Sequence, residues 1–242
     1  MIDIAENIRQ IRGKVLAAAA RGGRDGRTVQ IIAVTKTRSP EEMLAAVEAG
    51  LTDLGENKVQ ELEEKYAAVT AGVTEMKTSV RWHMIGHLQR NKVKYTMDKV
   101  DLIHSVDSFR LAEEIDRRAS LSSKKVDILL QVNPAGEESK FGLSASEAPA
   151  LTGKILNELS NVCVRGLMTV VPDVADPEEV RPYFRTVSRL FDEIKTSLSH
   201  ERLDMRYLSM GMTHDYEVAV EEGANLIRVG TGIFGPRSYE VE

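Results

Sequence analysis

The chain has 242 residues, a formal net charge of −5 from 32 basic and 37 acidic side chains, and a single cysteine, Cys163. One cysteine excludes an internal disulfide framework and any multi-cysteine metal site. The acidic balance gives no support to non-specific nucleic-acid binding, and 42% hydrophobic with 29% charged residues is the composition of an ordinary soluble globular protein.

The N-terminus, MIDIAENIRQ, carries an acid at Asp3 and no continuous apolar run, which does not suit a signal peptide. The most uniformly apolar stretch, residues 15–20, is far shorter than the roughly 20 residues of a membrane helix. A cytoplasmic protein without membrane or nucleic-acid contacts is expected. Residues 4–20 form an amphipathic helical pattern. Short β-branched runs then alternate with longer charged amphipathic ones. Strands are expected at 30–35, 52–55, 80–85, 100–105, 126–132, 162–170, 205–210 and 225–229. The runs Ile31-Ile32-Ala33-Val34 and Asp127-Ile128-Leu129-Leu130 do not alternate polar with apolar, which suits a parallel sheet covered on both faces.

Helix start signals separate the strands. Ser39-Pro40-Glu41-Glu42 reads as a capping box with proline at the first helical position, and Asp176-Pro177-Glu178-Glu179 repeats it with an acidic cap. Pro149 fits only a first turn, and Gly50 and Gly223 fall where helix C-caps belong. The charge run 61–65 reads as a solvated helix face. Eight strands, each followed by a helix, give one α/β domain over residues 1–242: a (β/α)8 TIM barrel with an extra N-terminal helix. An open doubly wound sheet fits less well.

In such a barrel the informative residues are polar ones where strands end. Lys36 ends the first strand with the parity of Ile32 and Val34; facing inward it is a candidate Schiff-base amine, facing outward an ordinary exposed lysine. Asn57, after the second strand, suits either a ligand contact or a helix cap. His83 and His87 have the spacing of a helical zinc pair, but Gly86 interrupts and the segment reads as strand then loop, so no metal site is expected. His83 either orients something in the barrel mouth or is a satisfied core histidine. The loop 133–142 after the fifth strand is long and polar, a ligand loop or a solvated connector. Ser209-Met210-Gly211-Met212-Thr213 and Gly230-Thr231-Gly232 follow strands seven and eight, where barrels commonly bind phosphate through backbone N–H groups and small hydroxyls. The second loop also spells GxGxxG, without the βαβ context of a dinucleotide site. Arg228, inside the last strand, needs either a carboxylate partner or a ligand acceptor. A phosphate site, a strand-end lysine and an interior arginine describe either a Schiff-base aldolase acting on a sugar phosphate or a protein that binds pyridoxal 5′-phosphate (PLP).

Longer strings decide between these. Ala33-Val34-Thr35-Lys36-Thr37, Gly55-Glu56-Asn57, Trp82-His83-Met84-Ile85-Gly86-His87-Leu88-Gln89, Gly166-Leu167-Met168, Ser209-Met210-Gly211-Met212 and Arg228-Val229-Gly230-Thr231-Gly232 closely resemble the PLP homeostasis protein family (YggS/PROSC), whose fold is that of the alanine racemase N-terminal domain. The resemblance runs from about residue 7 to 239. It implies that Lys36 carries PLP as a Schiff base and that Ser209, Gly211, Gly230, Thr231 and Gly232 hold the phosphate. It places Arg228 at the pyridine nitrogen and Asn57, His83 and Met168 along the pocket. Departures are mild: Thr35 stands where serine is usual, Lys58 where tyrosine or arginine is common, and Thr213-His214 where Ser-Asp is common.

Arginine only donates, so it would keep the pyridine nitrogen unprotonated and the ring a weak electron sink. No second domain of the racemase kind is expected after the eighth strand. The resemblance therefore implies a monomeric PLP-binding protein of intracellular vitamin B6 homeostasis, without robust catalysis, handing PLP to transient acceptor apoenzymes. A weak amino-acid racemase is the alternative. Lys140 is a second lysine of the mouth with no assigned role.

Overall fold

A computed structural model describes residues 2–137 and 139–236. The eight expected strands are present: β1 (Gln30–Val34), β2 (Asp53–Glu56), β3 (Arg81–Met84), β4 (Leu102–Val106), β5 (Val126–Val132), β6 (Val162–Thr169), β7 (Leu203–Ser209) and β8 (Leu226–Val229). They pair in parallel, in sequence order, and close into a barrel when β8 pairs β1 with Ile32 opposite Arg228 and Ala33 opposite Val229. This is a TIM barrel with an N-terminal helix.

Helix α1 (Ile4–Arg21) starts where the Asp3 carboxylate accepts the Glu6 N–H at 2.9 Å. It buries Ile8, Ile11, Val15 and Ala18 against the barrel's outer layer, and Asn7 Nδ2 donates to the Ile233 carbonyl at 2.9 Å. The capping box of α2 (Pro40–Glu48) forms in full: Ser39 Oγ accepts from Glu42 N, and Glu42 Oε2 accepts from Ser39 N. The remaining helices are α3 (Val59–Glu75), α4 (Phe109–Leu121), α5 (Ala148–Glu158), α6 (Arg181–Ser197), α7 (Tyr216–Glu221) and the single turn α8 (Thr231–Phe234). Two details differ from expectation. The crossover after β3 is a 3₁₀ segment (Arg90–Tyr95) rather than an α-helix, and the acidic cap at Asp176 opens a 3₁₀ turn (Pro177–Val180) that leads into α6. Both are short stretches in which i→i+3 bonds suffice to satisfy the backbone.

Two apolar layers result. The larger lies between strands and helices. The smaller fills the barrel interior with Ile32, Leu102, Leu129, Met168 and Leu226. Polar side chains are buried there too, among them Asp53, His83, His104, Ser209 and Arg228. Of these polar residues, His83, Ser209 and Arg228 were singled out from the sequence, but not Asp53 or His104.

Gly166 marks where the barrel bends. The β5–β6 and β6–β7 registers both shift beside it, its φ is +147°, and a Cβ there would overlap the Tyr207 carbonyl. Gly153 in α5 has open space around it. Gly166→Ala is expected to destabilise the protein by about 3 kcal/mol or more. Gly153→Ala should stabilise it by about 0.5–1 kcal/mol. Urea unfolding midpoints measure both, and equal effects at the two positions would refute the assignment.

Candidate functional site

At the C-terminal end of the strands a cleft of about 380 Å3 opens among the ends of β1, β6, β7 and β8. Four expected site residues line it together: Lys36, Arg228, Gly230 and Thr231. Val34 lines it too, so the inward parity of Ile32, Val34 and Lys36 holds. Lys140 reaches the same cleft from the loop after β5, and Arg38, Asp173 and His214 complete its polar rim.

The backbone around Lys36 is clamped from below. Thr35 Oγ1 donates to Glu56 Oε1 at 2.6 Å, and Lys65 Nζ, on α3, donates to the Thr35 carbonyl at 2.9 Å. Lys65 also meets Glu56 Oε1 at 3.0 Å and Glu61 Oε2 at 2.8 Å. Glu61 Oε2 in turn accepts the Thr37 N–H at 2.6 Å. Thr37 sits at φ +63°, a left-handed conformation unusual for a β-branched residue, and this contact holds it there. The run 61–65 is therefore no fully solvated face: Lys65 is buried because three oxygens converge on its ammonium. Burial raises the Glu56 carboxyl above its ordinary range, with the bonds from Thr35 and Lys65 opposing it.

Arg228 is held at two corners by neutral oxygens: Nη1 donates to Ser209 Oγ and Nη2 to the Thr169 carbonyl, both at 2.7 Å. Burial pushes its guanidinium down to about 10, opposed by the negative charge of Asp215, so it stays cationic at neutral pH. Asp215 itself is raised by burial, against the Met212 N–H it accepts.

The other expected residues are not among those lining the cleft. His83 and Ser209 are buried inside the barrel below the cleft, and both contact His104, which the sequence reading did not single out. Met168 belongs to the interior apolar cluster. Gly211 has φ +91°, and its missing Cβ leaves room for Tyr216 and Ala219 of α7. Its carbonyl accepts the Arg228 N–H at 3.0 Å. Gly232 N lies 3.3 Å from Thr213 Oγ1 at the start of α8. Asn57 flanks a neighbouring surface cleft, and its buried Oδ1 has no hydrogen-bond partner among the described residues. His87 stacks on Phe141 with ring centroids 3.7 Å apart, away from His83, which faces the barrel interior. Among the described residues no group of three side chains could hold a metal ion, and no helix is long and apolar enough to cross a membrane.

Asp53, His104, Glu56 and Lys65 were missed as site residues. For His104 and Asp53 a signal existed: each is a polar residue with inward parity in a barrel strand, as Arg228 is. Burial, above all, holds His104 well below its ordinary value, and the charge of Arg228 acts in the same direction. Burial works to raise Asp53, but the hydrogen bond from His83 and the charge of Arg81 outweigh it and keep the carboxyl below the usual range.

Two measurements follow from these buried groups. Lys65→Met leaves Glu56 and Glu61 without their cation and should cost about 3–5 kcal/mol in denaturant unfolding. A loss under about 1 kcal/mol would show that the clamp is dispensable. For His104 the folded value lies below the unfolded one. The unfolded chain therefore binds a proton that the folded chain does not, and stability is lost as pH falls below about 6.5, by at most about 1.4 kcal/mol per pH unit. Glu56 and Asp215, raised by burial, act in the opposite sense at lower pH. The readout is therefore the difference between wild type and His104→Gln, expected to shrink with acidification; a pH-independent difference contradicts the assignment.

Comparison with known proteins agrees with this architecture. The family model "Alanine racemase, N-terminal domain" matches residues 3–238. A pyridoxal phosphate homeostasis protein of Aquifex aeolicus is 41% identical over 238 residues, covering 98% of this chain and 100% of the relative. Its counterpart from Escherichia coli K12 is 34% identical over 241 residues, 99% of each chain. Among solved structures, PipY of Synechococcus elongatus with PLP bound has a TM-score of 0.80 at 33% identity, covering 96% of this chain and 100% of PipY. With its barrel and its matches along nearly its whole length, the chain belongs to the pyridoxal phosphate homeostasis protein family, within the wider family of alanine racemase N-terminal domains.

Proposed function

We propose that this protein binds PLP as a Schiff base on Lys36 and serves the intracellular balance of vitamin B6, without robust catalysis of its own. The observation that carries this is the meeting of Lys36, Arg228 and the Gly230–Thr231 turn around one cleft. An amine, a fixed cationic donor and a glycine-containing turn at a helix start match in kind the aldehyde, ring nitrogen and phosphate of PLP. PipY, a relative of similar length, is known with PLP bound.

When bound, PLP supplies an aldehyde that condenses with an amine, releasing one water. In this reading Lys36 provides the amine, and the Thr35–Glu56–Lys65–Glu61 clamp fixes the backbone that aims it. Gly230 and Thr231 offer backbone N–H groups and a hydroxyl to the phosphate. Arg228 offers a hydrogen to the ring nitrogen and cannot accept one, which disfavours storage of negative charge in the ring. Racemisation also needs proton delivery from two faces. The protein is in this proposal a cytoplasmic monomer whose transient partners are apoenzymes that take up PLP.

An absorption spectrum of the purified protein with added PLP tests the central claim beside Lys36→Ala. A violet imine band is expected in the wild type and absent in the variant. No band in either protein removes the Schiff base on Lys36. Interconversion of D- and L-alanine that depends on Lys36 would replace the carrier by a racemase.

A further inference from the structure

Below the cleft, side chains from five strands form one hydrogen-bonded line along the barrel interior. Arg228 Nη1 is 2.7 Å from Ser209 Oγ, which is 3.0 Å from His104 Nδ1. His104 Nε2 is 2.9 Å from His83 Nδ1, and His83 Nε2 is 2.9 Å from Asp53 Oδ1. Beyond Asp53, at the opposite end of the barrel, Arg81 Nη2 closes the line at 2.6 Å and also donates to Gln30 Oε1 at 3.0 Å.

Both ends have a fixed role. Arginine only donates, and an ionised carboxylate only accepts. With His104 and His83 both neutral, the hydrogens between them have one consistent arrangement. Arg228 donates to Ser209, the Ser209 hydroxyl to His104 Nδ1, His104 Nε2–H to His83 Nδ1, and His83 Nε2–H to Asp53. The opposite direction starts from a protonated His83. It makes Ser209 accept from both His104 and Arg228 and sends the serine hydrogen out of the line to a third acceptor. His104 and Ser209 are fully buried from bulk solvent, so an unmatched hydrogen is expensive.

We propose that His104 and Ser209 are positioning residues for the cleft: a one-way hydrogen-bond line anchored on Asp53 fixes the orientation of the Arg228 guanidinium and leaves its remaining donors for a ligand acceptor. The role toward PLP rests on the function proposed above; the line itself does not. The Ser209 hydroxyl is thereby used inside the barrel in support of Arg228, beside the phosphate role that the resemblance implies for this residue. The charged and titratable groups around the line are Asp53 on β2, Arg81 and His83 on β3, Tyr207 on β7, Asp215 after β7 and Arg228 on β8. Burial of His104 favours the neutral imidazole that the line requires.

Long-range imidazole proton–nitrogen NMR of the full-length wild type, without PLP and at neutral pH, tests the line directly. His104 and His83 are each expected as the neutral Nε2–H tautomer. A protonated His104, or one carrying its hydrogen on Nδ1, overturns the proposal without need of any variant. Ser209→Ala should shift the His104 Nδ1 resonance and weaken PLP binding, followed by absorbance titration, by roughly tenfold to a hundredfold. Ser209→Thr, which keeps the hydroxyl, should restore both. Unchanged PLP affinity in Ser209→Ala refutes the positioning role. A wild type that shows the expected tautomers yet takes up no PLP overturns the PLP reading alone and leaves the line standing.

Discussion

The pairing of the last strand with the first is the constraint on which the site depends. Closure sets Ile32 beside Arg228 and carries Val34 up against Gly230, where a Cβ on the glycine would stand 3.3 Å from the valine. Lys36 comes from the first strand of the chain, and Arg228, Gly230 and Thr231 from the last. Only the closed ring puts the amine, the guanidinium and the small turn on one cleft. An open sheet with the same strands would leave them on opposite edges.

Closure also creates an interior largely buried from solvent, and that interior holds several polar groups. Among the described residues, a cluster of buried apolar side chains shares it with His83, His104, Ser209, Asp53 and Arg228. Such groups are tolerable when each side chain finds a hydrogen-bond partner. The interior meets this requirement by stringing them together rather than by pairing each with its own counterion. Arg228 shows the consequence: its corners rest on a hydroxyl and a carbonyl, so its charge is not cancelled by a touching carboxylate and remains directed at the cleft. A direct ion pair would have held the side chain equally firmly and spent that charge.

Much of this was legible in the sequence, and the boundary has a physical origin. Parity along a strand is a local property, so the shared facing of Ile32, Val34 and Lys36 and the closing eight-strand pattern could be read from neighbouring residues. The capping box at Ser39 was readable for the same reason, since its partners are three residues apart. What joins distant strands was not. His104 sits in an apolar run whose own pattern hides the histidine and the serine it meets on other strands. Lys65 lies in a charge run that looks solvated until β1 and β2 are placed beneath it. The functional strings narrowed the cofactor, yet Gly211 illustrates how one residue in such a string serves packing: its place is fixed by α7 lying against it.

The same closure has a consequence for the order in which the molecule is made. Lys36 emerges early during synthesis, whereas the residues it meets across the cleft are among the last. Contacts of such long sequence separation carry the largest loop-closure entropy and form late. The clamp beneath Lys36 is local by comparison, drawn from β1, β2 and α3, and matures without the ring. The chain thus acquires a prepared lysine first and a place to use it last. A partly folded molecule would present that amine to the surroundings without the arginine and glycine turn that select its ligand, and selectivity begins only with the final strand.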